Sequence, residues 1–193
     1  MSNRGSWVAR FSDLLHRIST GPVALVATII FLAFGALVLP AESRGAVEAG
    51  RESSPDTSFF YPPAELYQLA EQYGPEGRQM YIRSRWTFDV AFPIVYLSFL
   101  VTAISWLMRR GSQPGSPWRR TNIVPVVGAL FDFLENSATS LVMGRYPART
   151  PVVDLLAPVF SALKWVFVGG SMVLLVAGIV LALAAIVRRR ASA

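Results

Sequence analysis

The 193-residue chain has no cysteine. Thiolate catalysis, disulfide exchange, Cys-ligated zinc and iron–sulfur clusters are therefore excluded together. Its single histidine, His16, lies outside every long apolar run, which excludes a haem held between paired histidines inside a bundle. Charge is also scarce, at 16% of residues against 53% hydrophobic, and Lys164 is the one lysine, every other basic residue being arginine. No cofactor and no metal is expected from this inventory.

What the sequence has instead is four long apolar runs, at residues 22–39, 86–108, 121–143 and 155–187. Runs of this length are the signature of membrane-spanning helices. The expected fold is all-α: a four-transmembrane-helix bundle with an N-terminal interfacial helix and a short extracytoplasmic helical segment, forming one membrane domain over residues 1–193. The first run follows a basic leader, but at 18 residues it exceeds the roughly 7–15 of a cleaved signal segment, so it is expected to stay as a span. The last run is longer than a crossing needs. It must tilt, project, or start as a separate segment near Pro158.

The net charge of +6 does not point to nucleic acid, because the arginines sit at the ends of the apolar runs. Grouping the N-terminus, residues 109–120 and the C-terminus gathers ten arginines against Asp13 alone, whereas residues 40–86 carry five arginines and seven acids. The positive-inside rule then places both termini in the cytoplasm. An arginine- and alanine-rich composition fits a GC-rich bacterial genome, and the expected location is the bacterial inner membrane. The expected partners are the lipid bilayer, a small amphipathic ligand or lipid, and other copies or subunits in a homo- or hetero-oligomer.

Between the runs, residues 7–18 place Trp7, Phe11, Leu14, Leu15 and Ile18 on one helical face, with Arg10, Asp13, His16 and Arg17 opposite. Such a helix lies in the interface or packs on its neighbours. Residues 41–85 are expected to be an exposed loop followed by a helix from Ala64 to Tyr73, broken at residues 74–77, with a further helix continuing from Arg78 into the second span, where Pro93 suggests a kink. The aromatic residues and arginines of residues 64–85 suggest an interfacial belt or a lid.

The third run contains LFDFLENSATS, which sets Asp132, Glu135, Asn136 and Thr139 on one face. Asp132 is 11 residues beyond Thr121, about 16 Å along the helix, near the bilayer midplane. A charge there costs about 2.5–3.5 kcal/mol, so the stripe must face the bundle interior or water. Candidate partners are Asp89, with Arg85 a turn before it and Tyr96 two turns after it, and Lys164 on the fourth helix with Ser161 and Ser171. Arg85 is expected to snorkel outward while reaching Asp89. Three carboxylates facing two cations leave one acid to be protonated or to hold a cation, and Asp132 with Glu135 is the pair expected to share that proton. Four readings follow: a structural seam, a ligand pocket, proton or ion handling, and catalysis by the carboxylates.

The motifs GRxxYxxxxxxxDxxFPxxY (Gly77 to Tyr96) and DxxEN (Asp132 to Asn136) resemble those of uncharacterised bacterial four-helix integral membrane proteins, a resemblance covering residues 64–147. It implies a fold and no activity. A second likeness, in architecture and acid placement, is to the emopamil-binding family of four-helix sterol isomerases and ligand-binding proteins. The histidine of its isomerase members is missing from the spans here, so the likeness implies binding of an amphipathic amine or lipid rather than isomerisation. The sequence thus points to a membrane protein holding a small amphipathic ligand, lipid or cation through Asp132, Glu135, Asn136, Asp89, Tyr96, Lys164 and Arg85. A structural or assembly subunit, and a membrane enzyme or proton-handling protein using Asp132 and Glu135, are the alternatives.

Overall fold

The computed structural model describes residues 6–48, 55 and 58–191. Those residues form helices and their connections, with no strand among them. Four stretches are long and apolar enough to cross a bilayer: Gly21–Gly45, Pro63–Gly111, Pro117–Arg145 and Val153–Ala191. Within hydrocarbon only a helix or a closed barrel satisfies its own backbone, so the apolar runs are helical by necessity. The chain is a multi-pass membrane protein.

The helices in chain order are α1 (Trp7–Ile18), α2 (Gly21–Ala33), α3 (Leu39–Glu48), α4 (Pro63–Arg85), α5 (Phe88–Gly111), α6 (Val124–Arg145) and α7 (Val153–Ala191). Pro40 was expected to end the first span. The helix passes through it instead, because Phe34–Val38 form a π-helical turn in which the Leu39 N–H donates to the Phe34 carbonyl. A wide turn just before a proline shifts the hydrogen-bond ladder that the ring would otherwise obstruct. The break at residues 74–77 is as expected: Gly74 has φ 63° and ψ −179°, and Pro75 opens the next turn. The segment does not run straight into the second span, since Trp86 and Thr87 form a turn before α5. A 3₁₀ segment, Pro117–Ile123, leads into α6. Helix α7 is unbroken through Pro158, and its 39 residues extend about 58 Å against a hydrocarbon core of about 30 Å. It therefore tilts or projects, and no separate segment begins at Pro158.

The chain divides into two compact units. The first comprises Met1–Leu32, Val95–Val127 and Phe167–Ala193. Here α1 has three faces rather than two. Ser12, His16 and Ser19 are buried, Trp7, Leu14 and Ile18 are exposed, and Arg10, Asp13 and Arg17 are exposed on the remaining side. The inward polar face is hydrogen-bonded to its neighbours: the Ser12 hydroxyl donates to Asn122 Oδ1 (2.8 Å), Asn122 Nδ2 donates to the Ser12 carbonyl (3.1 Å) and to Ser105 Oγ (3.0 Å), and His16 Nε2 donates to the Arg119 carbonyl (2.9 Å). Arg109 donates to the Ser19 carbonyl just after α1. A polar inner face leaves the apolar one for lipid, as in an interfacial helix. Gly111 is required where α5 meets α7, because a Cβ there would stand 2.6 Å from Leu181 Cβ and 2.8 Å from the Ala182 backbone nitrogen.

The second unit comprises Ala33–Ile94 and Gly128–Val166. Its core joins Leu66, Leu69 and Ala70 of α4 to Val142 and Met143 of α6 and Ala157 of α7. Tyr67 and Tyr81, expected in an interfacial belt, are buried within it at 6% and 3% exposure. Burial is tolerated for Tyr67 because its hydroxyl donates to Asp154 Oδ2 (3.0 Å) and accepts from the Thr150 backbone N–H (2.9 Å). Arg78 repairs the break in α4 by donating to the Ala70 carbonyl (2.8 Å), while its guanidinium lies over the Tyr146 ring at 4.8 Å. Of the residues expected in the belt, Arg83 is exposed, as is the adjoining Trp86, at 54% exposure.

Candidate functional site

Of the seven polar residues expected at bilayer depth, Asp89 is half-buried and the other six are buried; all but Tyr96 lie within the second unit. They form two linked clusters. In the first, Lys164 Nζ lies 2.6 Å from Glu135 Oε2 and 3.9 Å from Asp132 Oδ1. Helix α6 sets both acids on its inner face by their three-residue spacing, and α7 brings the lysine across to them. Glu135 is 1% exposed and Asp132 9%, so Glu135 is the more enclosed carboxylate. The longer lysine contact goes to the acid nearer the surface.

In the second cluster Arg85 Nη1 lies 3.0 Å from Asp89 Oδ2 and donates to Asn136 Oδ1 at 3.4 Å. Its guanidinium also sits over the Tyr81 ring at 4.5 Å. Arg85 does not snorkel outward: it is 4% exposed, because carboxylate, amide and ring together replace its hydration. Asn136 closes the arrangement from its other end, its Nδ2 donating to the Asp89 carbonyl at 3.0 Å. That carbonyl needs a donor because Pro93, four residues on, has no N–H to give it. The proline of the FP pair and the asparagine of the EN pair are thus two halves of one interaction. Asn136 follows Glu135 directly, so α6 carries both clusters on consecutive residues.

One contributor was not expected. Tyr61 lies before α4, in a stretch taken from sequence for exposed loop, yet it is 1% exposed, and its hydroxyl donates to Glu135 Oε1 at 3.5 Å. The same segment is strapped to α7 by the Ser58 carbonyl, which accepts from Ser161 Oγ (2.9 Å) and Trp165 Nε1 (3.1 Å). An isolated tyrosine among serines, phenylalanines and prolines carries no periodicity to mark it. Ser161 and Lys164 do share a buried side of α7, and Ser171 is buried further along, in the first unit. Tyr96 is buried on α5 at 4% exposure and also belongs to the first unit.

The arrangement brings two carboxylates, an ammonium and a phenol together beneath a non-helical segment. Among the described residues no group of three His, Asp or Glu side chains converges as metal ligands. The chain matches no family model, no curated protein and no solved structure.

Proposed function

We propose that this is a bacterial inner-membrane protein, its termini cytoplasmic, that binds the charged head of a small amphipathic molecule at the Asp132, Glu135 and Lys164 cluster, with Arg85, Asp89 and Asn136 holding the adjoining wall. The observation that carries the reading is Tyr61. A segment outside the helices covers the most enclosed carboxylate, the Tyr61 hydroxyl donating to Glu135 Oε1 at 3.5 Å. The two bonds that the Ser58 carbonyl accepts from α7 each contribute a net of about 0.5–1.5 kcal/mol to holding the segment there. The carboxylate oxygens of Asp132 and Glu135 converge there and accept N–H groups, so a ligand with a cationic head and an apolar tail fits the cluster. Such a molecule partitions into the bilayer through its apolar tail, which concentrates it near the site.

The test is thermal stabilisation of the purified protein in detergent by dodecylamine, with dodecanol as the uncharged control. The amine should raise the melting temperature of the native chain and leave an Asp132→Asn, Glu135→Gln, Lys164→Met triple variant unmoved, and dodecanol should do neither. Equal shifts for both proteins, or for both compounds, would reject the site.

A second reading, a structural or assembly subunit in which the cluster only fixes helix packing, is favoured by one observation: each carboxylate has a cation within 4 Å, at 2.6, 3.9 and 3.0 Å. It predicts no amine-specific stabilisation.

A further inference from the structure

The first unit carries a feature that the ligand site does not use. Between the connection that follows α5 and the last third of α7 lies an open cavity of about 720 Å³. Its lining is divided by chemistry. Ser112, Gln113, Ser116 and Trp118 line it from the connection, the Ser112 hydroxyl donating to the Met108 carbonyl (2.5 Å), and Ala177 and Val180 of α7 supply an apolar wall. A volume of this size falls in the roughly 300–1,000 Å³ range of small-ligand sites. A glycerophosphate group with the first carbons of an acyl chain has this same split between polar and apolar ends.

The unit is strongly basic. The sequence segments of this unit contain ten arginines and one acid, Asp13. Two of the arginines are committed to holding the connection in place: Arg109 donates to the Ser19 carbonyl, and Arg119 donates to the carbonyls of Ser112 (3.0 Å) and Arg109 (3.3 Å). That pinning fixes one wall of the cavity. Arg110 and Arg120 flank the lining segment in sequence and are exposed, Arg110 stacked on the Trp106 ring at 4.2 Å. Trp118 is 51% exposed, and on α1 Trp7 and Ile18 are 69% and 54% exposed, as indole and aliphatic groups are at the level of lipid headgroups.

We propose that this cavity is a binding site for one membrane phospholipid with an anionic headgroup, its acyl chain along Ala177 and Val180 and its headgroup beside Ser112 and Ser116, drawn in by Arg110 and Arg120. The occupant is a bilayer lipid rather than a soluble anion because the greater part of the wall supplied by α7 is apolar and rewards a hydrocarbon chain. This site is independent of the ligand cluster in the other unit.

The experiment is native mass spectrometry of the delipidated full-length protein, titrated separately with phosphatidylglycerol and phosphatidylcholine. The first phosphatidylglycerol should bind more tightly than the first phosphatidylcholine. Arg110→Gln and Arg120→Gln should each reduce that preference on the order of fivefold, the value expected for one cation near an anionic headgroup. Ala177→Phe, which fills the cavity, should remove the first tight step for phosphatidylglycerol while gel filtration and helicity stay unchanged. Should Ala177→Phe fail to fold, Val180→Phe, at an exposed lining position, makes the same test. Equal affinity for the two lipids, or a first tight step that survives filling of the cavity, would overturn the proposal.

Discussion

Replacing Lys164 with Met removes the ammonium that stands 2.6 Å from Glu135 Oε2 and 3.9 Å from Asp132 Oδ1, while keeping most of the aliphatic stem. Glu135 is 1% exposed, so water cannot replace the lost cation without opening the helices. Removing one partner of a buried ion pair costs about 3–5 kcal/mol, most of it the cost of the charge left behind. For a chain of this size each kcal/mol lowers the melting temperature by about 2–4 °C, so Lys164→Met should lose roughly 6–20 °C. Replacing all three groups together, as Asp132→Asn, Glu135→Gln and Lys164→Met, removes the stranded charge as well as the pair. That variant should recover at least half of the loss. The assay is fluorescence-monitored thermal unfolding in one detergent, with the single and triple variants measured beside the native chain. A triple variant as unstable as the single one would refute the electrostatic argument, because the damage would then lie in packing rather than in uncompensated charge.

Asn136→Leu should leave the Asp89 carbonyl without a donor and remove the amide acceptor of Arg85; the expected loss in the same assay is about 1–3 kcal/mol. Restoring a backbone donor by Pro93→Ala in that background should recover part of it. His16 is held below its ordinary pKa of 6.5, first by burial and then by the nearby Arg109 and Arg119 guanidinium groups, with the backbone acceptors at Arg119 and Ser105 opposing. The unfolded chain therefore takes up a proton near that value before the folded chain does, so the docking of α1 is fully stable above it and weakens as pH falls below it. Hydrogen exchange of α1 amides, corrected for intrinsic rate, should accelerate between about pH 7 and about pH 5.5 in the native chain and stay flat in His16→Gln. Finally, because the chain lacks cysteine, Glu76→Cys and Gln113→Cys, both at exposed positions on either side of α5, should react with an impermeant maleimide from opposite faces of the membrane, Glu76→Cys in intact cells and Gln113→Cys only after permeabilisation.

The spans and the acidic face of α6 were legible because they rest on run length and on helical spacing, which local sequence specifies. The ends of elements were less so. Pro40 reads as a stop, and only a π-helical turn upstream, invisible to periodicity, lets the helix continue past it. Arg85 and Tyr67 read as surface residues because long or amphipathic side chains usually keep their polar ends in water. Their burial depends on partners from distant parts of the chain: Asn136 for Arg85, and Thr150 and Asp154 for Tyr67. The same holds for His16, which its partner on the Arg119 backbone holds inward while Arg10, Asp13 and Arg17 stay exposed. Tyr61 had no local signal at all. Its place is fixed by what the Ser58 carbonyl finds on α7. Conversely, Pro93 and Asn136 were both visible as motif residues, but the reason they occur together became clear only when one was seen to supply the donor that the other lacks.

The central claim is that the Asp132, Glu135 and Lys164 cluster receives a ligand head beneath the Tyr61 segment, and the most direct measurement is an experimental structure of the protein in lipid nanodiscs with saturating 12-bromododecylamine. The account predicts density for the amine within hydrogen-bonding reach of Glu135 and a bromine peak in the apolar region, with Tyr61 displaced from its present contact. Tyr61 still on Glu135, Lys164 still in place between the two carboxylates and no bromine peak nearby would contradict it.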